Sequence, residues 1–151
     1  MVKRLLPAIV LWLTVNGSPA KGDSSVGIGA EAGTQPGLSV QYMVSPVTAY
    51  HFTGHFGDGS AAISADYQRL YIPGFGHGGD FTIATYAGIG LIGTSSRDQN
   101  GEAYGLHLPV GLQGDIEALR LSLFLEIAAV LGPVPTTNTF GAFATGLRTR
   151  F

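Results

Sequence analysis

Leu119-Arg120-Leu121-Ser122-Leu123-Phe124-Leu125-Glu126-Ile127-Ala128 alternates without a break, with Leu or Ile at every odd position and Arg, Ser, Phe, Glu and Ala between them. Successive side chains of a strand point to opposite faces, so this order makes a strand with one apolar face and one mostly polar face. A helix, with its period of about 3.6 residues, would mix the two sets. The preceding segment repeats the pattern: Tyr104, Leu106, Leu108, Val110 and Leu112 oppose Gly105, His107, Pro109, Gly111 and Gln113. After it, Phe143, Leu147 and Phe151 oppose Ala142, Ala144, Gly146, Arg148 and Arg150.

Five earlier segments alternate in the same way. Val26, Ile28, Ala30 and Ala32 face away from Glu31 and its glycines, and Leu38, Val40, Tyr42 and Val44 face away from Ser39, Gln41 and Met43. Tyr50, Phe52 and Phe56 oppose His51, Thr53 and His55, and Ala61, Ile63, Ala65 and Tyr67 oppose Ala62, Ser64, Asp66 and Gln68. Phe81, Ile83, Ala87, Ile89 and Leu91 form the last apolar face, so eight antiparallel strands are expected. Gly57-Asp58-Gly59 signals a tight hairpin, and Leu70 to Gly79 a longer link.

Composition narrows the class. Glycine supplies 23 of 151 residues, only 12% are charged, and none is cysteine. Low charge with 45% apolar content argues against disorder. The absence of cysteine excludes disulfides, thiol catalysis and Cys-ligated zinc. A net charge of -2 with no basic run gives no footprint for nucleic acid.

Residues 1 to 20 have the form of a signal peptide: Lys3-Arg4, the apolar run Leu5 to Val15, and small residues Ser18 and Ala20 at the cleavage positions. Eleven residues of helix span about 16 Å, too short for a hydrocarbon core of about 30 Å. Cleavage near Ala20 leaves a barrel domain, 21 to 151, with 6 basic and 10 acidic residues. No later stretch is long enough for a spanning helix, so a membrane-embedded chain of this kind has to be a barrel.

The orientation of the faces follows from bulk. An eight-stranded barrel has an interior just wide enough for side chains to fill. The apolar faces carry nearly all the large aliphatic and aromatic residues, too much volume for that interior, whereas the polar faces alternate Gly, Ala and Ser with a few long polar groups. The apolar faces are therefore expected to point outward, toward lipid. A soluble lipocalin-like carrier is the alternative if the faces are reversed. Tyr42, Tyr67, Phe81 and Phe151 fall near the rim bearing the termini, and Phe56 and Tyr104 near the other, as interfacial aromatic girdles do.

Gly37-Leu38-Ser39-Val40-Gln41-Tyr42, Ser64-Ala65-Asp66-Tyr67, Tyr86-Ala87-Gly88-Ile89-Gly90, Leu108-Pro109-Val110-Gly111-Leu112 and Phe124-Leu125-Glu126-Ile127-Ala128 occur in that order. As an ordered set they resemble the small OmpA-type outer-membrane barrels, and more closely an uncharacterised family of eight-stranded bacterial outer-membrane proteins of unknown role. The resemblance implies an all-β, up-and-down transmembrane barrel in a Gram-negative outer membrane, monomeric, in contact with outer-membrane lipids. The final strand resembles the signal read by the outer-membrane barrel assembly machinery, with Gly146 and Phe151 in the expected places. Thr149 and Ala144 depart from that pattern.

The inward faces carry Glu31, His51, Asp66, Tyr86, His107, Arg120, Glu126, Arg148 and Arg150. Buried charges must be paired, so these residues are expected to form a lumen-filling polar network, with acids such as Asp66 reaching the arginines. The expected role is structural or envelope maintenance; a narrow pore is an alternative. His51 and His55 are about 13 Å apart along a strand, too far to share a metal, and no metal or cofactor is expected. His55, Asp58 and Ser60 cluster at one hairpin and are the candidates for an acyl hydrolase acting on membrane lipid. Turn chemistry explains Asp58 and Ser60 equally well. Gly88-Ile-Gly-Leu-Ile-Gly93 fits a dinucleotide-binding pattern, but no helix follows it; Gly88 and Gly90 are expected to make room opposite Tyr86.

Overall fold

The alternating segments fold as strands that close on themselves. The computed structural model describes residues 25–34, 36–57, 59–71, 77–96, 101–132 and 139–151. The proposed leader, Asp58 and the centre of the 70–79 link lie outside the described residues. The strands are β1 (Ser25–Gly33), β2 (Gly37–Ser45), β3 (Thr48–Gly57), β4 (Ser60–Tyr71), β5 (Phe81–Ser96), β6 (Gly101–Ile116), β7 (Leu121–Leu131) and β8 (Thr139–Arg150). Each pairs antiparallel with its sequence neighbour, and β1 pairs with β8, from Gly27 opposite Arg150 to Gly33 opposite Ala144. That seam leaves the sheet without an edge.

Exposure settles the orientation. Leu38, Phe52, Ile63, Leu91, Leu125 and Ile127 are exposed, while Glu31, His51, Asp66, His107, Glu126 and Arg148 are buried inside. A soluble carrier needs the opposite arrangement, so that alternative is overturned. Tyr42 pairs with Tyr50 and Tyr50 with Tyr67, forming an exposed tyrosine row across three strands near the end bearing the termini. Tyr50 and Tyr67 meet edge to face at 5.9 Å.

Strand lengths differ from the sequence reading. β4 continues through Leu70 and Tyr71, β5 runs on through Gly93-Thr94-Ser95-Ser96, and His77-Gly78 pairs with Thr82 and Phe81. Strand ends rich in Gly, Ser and Thr carry no hydrophobic alternation, so pattern alone stops short of them. The β5–β6 ladder lapses between Ala87 opposite Val110 and Gly90 opposite His107. Pro109 lies in that interval and has no N–H to donate.

The expectation for Arg120 is corrected. Glu117–Leu119 forms a single 3-10 turn, and Arg120, at φ 52° and ψ 38°, takes the left-handed conformation and donates its N–H to the Glu117 carbonyl at 3.1 Å. β7 therefore begins at Leu121, and Arg120 is exposed in the β6–β7 turn instead of facing the lumen. Reversing the chain over four residues requires turn geometry, which overrides the alternation that places Arg120 inward.

Candidate functional site

The inward side chains form layers along the barrel axis. At the end bearing the termini, Asp115 accepts hydrogen bonds from Ser122 Oγ at 2.6 Å and Gln113 Nε2 at 3.1 Å. Arg150 Nη1 lies 3.2 Å from Asp115 Oδ2 and 3.1 Å from Glu117 Oε1, so this arginine belongs to the rim. Close by, Met43, Ala49, Leu70, Ala84 and the Tyr86 ring pack as an apolar cluster.

The next layer is a row of amides. Gln113 directs Nε2 to Asp115, so its Oε1 accepts from Gln41 Nε2 at 3.0 Å, and Gln41 Nε2 also donates to Gln68 Oε1 at 3.3 Å. Gln68 Nε2 then meets His51 Nδ1 at 3.1 Å. Because an amide nitrogen only donates, this polarity places the ring proton on Nε2, where Ser39 Oγ accepts it at 2.9 Å. Arg148 Nη2 also stands 2.8 Å from Nε2 and can bond there only if the proton sits on Nδ1. The two settings of the His51 ring exclude each other.

Arg148 lies buried inside the barrel. It is 1% exposed, donates from Nε to Ser39 Oγ at 2.8 Å, and lies 3.8 Å over the centre of the Phe124 ring. A guanidinium on an aromatic face gains from the ring quadrupole, more so out of water. Gly146 stands opposite Phe124 in the β7–β8 register, and a Cβ there would overlap that ring. Whatever else Gly146 does, it makes room for this stack.

Above Arg148 lie three carboxylates. Asp66 Oδ1 is 2.8 Å from His107 Nδ1, and Asp66 Oδ2 accepts from Ser64 Oγ at 3.4 Å. Ser64 and Thr53 hydroxyls meet at 2.7 Å, Thr53 Oγ1 is 3.0 Å from His55 Nε2, and His55 Nδ1 is 3.3 Å from Glu31 Oε1. The chain of contacts thus runs from Glu31 through His55, Thr53 and Ser64 to Asp66 and His107. Tyr86 donates its hydroxyl to Glu126 Oε2 at 2.8 Å. Replacing Tyr86 by Phe leaves this buried oxygen without its donor, and chemical denaturation of the folded protein should show a loss of about 1–3 kcal/mol.

Several pairings differ from the sequence reading. Asp66 takes His107 instead of reaching an arginine; Arg150 finds Asp115 and Glu117; Arg148 has Ser39, His51 and Phe124. Asp115 went unnoticed because β6 continues beyond Gln113, and Phe124 because an aromatic residue on a polar face does not advertise a cationic partner. The glycine lying against the Tyr86 ring is Gly111, whereas Gly90 accommodates Asp66 and Gly88 packs against Pro109 and Gln68. Of the hydrolase candidates, Asp58 is outside the described residues, Ser60 Oγ donates to the Gly57 carbonyl at 2.8 Å as a turn residue does, and His55 turns inward to Glu31 and Thr53. Among the described residues, no three of His, Asp and Glu stand together as a metal site.

No protein-family model matches the sequence, and no curated protein matches it. Among solved structures, the chain is similar to the crystal structure of the N-terminal β-barrel domain of Pseudomonas aeruginosa OprF, with a TM-score of 0.56 at 12% identity. The match covers 86% of this chain and 98% of that one. The fold is therefore a closed, eight-stranded, up-and-down antiparallel barrel like that domain.

Proposed function

We propose that this protein is an integral, monomeric outer-membrane barrel that serves as a structural element of the envelope, with its lumen plugged by side chains. In this reading a leader is cleaved near Ala20, the assembly machinery reads the last strand through Gly146 and Phe151, and the outer face rests in lipid. The carrying observation is the inversion of burial: large apolar residues cover the outside while charged residues are inside. In water such a surface would drive aggregation. The tyrosine row at one end and Phe56 and Tyr104 at the other support the reading, since aromatic rings collect at membrane interfaces.

Envelope fractionation tests it directly. The protein should be recovered with the outer membrane and migrate differently on a gel before and after boiling; recovery as a soluble periplasmic protein would refute the proposal. A single substitution tests the same point energetically. Leu125, 44% exposed on the outer face in the middle of β7, should cost nothing as Leu125→Arg if it faces water. Facing lipid, Leu125→Arg should lower stability in bilayers by about 2–4 kcal/mol.

Packing supports a plug in place of a pore. Arg148, His51, Gln68 and Gln113 are each under 2% exposed, and with Gln41 they form a continuous row of contacts inside the barrel. Planar bilayers containing the purified protein are expected to show no single-channel steps.

A further inference from the structure

Between the polar layers and the rim far from the termini, the lumen opens into a cavity of about 120 Å³. One wall is apolar: Ala62, Ile92 and Val130 pack as one cluster, with Ala128 beside them, while Thr34, Thr53 and Thr94 line other parts. His55, His107 and Glu126 also line it. A dry cavity of about 150 Å³ accommodates benzene, so this one suits a chain of three or four heavy atoms.

Carboxylates outnumber guanidinium groups next to the cavity. Glu31, Asp66 and Glu126 are buried, and among the described residues the one guanidinium buried with them is Arg148, since Arg150 pairs at the opposite rim. Asp66 has His107, but the donor to Glu126 is a neutral phenol. Glu31 is 6% exposed, and its Oε1 accepts no hydrogen bond among the described residues. That oxygen lies 3.3 Å from Nδ1 of His55, itself a wall of the cavity. A carboxylate removed from water needs a counter-charge or a proton. A bare metal ion does not suit the space, because among the described residues the acids do not converge as metal ligands.

We propose that this cavity binds a small primary alkylammonium ion, with the ammonium at Glu126 on the side nearer Glu31 and the alkyl chain against Ile92 and Val130. Binding places positive charge beside the acids and covers the apolar wall. The site is within the barrel and holds whether or not the outer face contacts lipid.

The test uses the full chain folded in detergent micelles, with the folded state verified by its gel shift before and after boiling. Methyl resonances of Ile92, Ala128 and Val130 are followed while n-propylammonium chloride is added, with n-propanol as the neutral analogue and sodium chloride as the ionic control. The proposal expects a saturable shift with n-propylammonium and none with n-propanol or sodium. Glu126→Gln should weaken binding at least tenfold, and Ala128→Leu, which fills the space and leaves every carboxylate in place, should abolish it. An equal response to n-propanol would mean an apolar pocket without charge selection, and the absence of a saturable response in the folded wild type would mean no site; either overturns the proposal. The comparison among the three solutes decides the matter on the wild type even if neither variant folds.

Discussion

Gly29→Val is expected to abolish the closed barrel, eliminating the band whose mobility changes on boiling. Gly29 lies in β1, opposite Arg148 of β8 and Ser39 of β2. A Cβ at this position would fall on the Leu147 carbonyl, part of the backbone of the closing strand. A side chain can rotate away from an intruding methyl group, but a carbonyl bonded into a ladder cannot. Ordinary overpacking costs about 1–3 kcal/mol. Here the disturbance falls on the seam, and each backbone group unpaired in hydrocarbon adds several kcal/mol. Gly141→Ala is the control: it lies in the same β8 strand, nothing stands within 4 Å of the added carbon, and stability should remain within about 0.5 kcal/mol of wild type.

Arg148→Met should be the most damaging change among the lumen side chains, lowering stability by about 3–5 kcal/mol in denaturant titrations of the lipid-embedded protein. Methionine fills much of the same volume, so the loss reports chemistry more than a cavity. Ser39 Oγ loses a charged donor, the Phe124 face loses its cation, and Glu31, Asp66 and Glu126 lose the guanidinium buried with them. Arg148→Lys retains the charge but not the planar fork that reaches Ser39 and His51 together, so it should fall between wild type and Arg148→Met. A double-mutant cycle with Phe124→Leu isolates the stacking contact, for which a coupling of about 0.5–2 kcal/mol is expected.

The direction in which each side chain faces was legible in the sequence because a strand has a period of two and these strands bury only one kind of face. Glu31, His51, Asp66, His107, Glu126 and Arg148 are read as inward from their neighbours alone, and the structure places them there. Their partners are another matter. Asp66 meets His107 across 41 positions, and Tyr86 meets Glu126 across 40, because each pair lies two strands apart in register, over Gly90 and Gly111 of the strand between them. That register depends on how three strands pair and is written in no single one of them. Arg120 shows the remaining difficulty: alternation continues through Leu119 and Arg120, but the chain has to reverse there, and turn geometry takes precedence.

The span of the Arg148 contacts bears on when the protein can fold. Its contacts with His51 and Ser39 join residues 97 and 109 positions apart, and β8 also supplies the partner strand of β1. Until β8 has been made, the first strand has no neighbour on one side and the middle of the barrel lacks its positive charge. Synthesis from the N-terminus therefore produces no stable partial barrel, and long-range pairings of this kind form slowly because a large loop must close before any contact compensates for it. The nascent chain must be kept from associating with others throughout that interval, and the arrival of β8 acts as a clock that starts assembly.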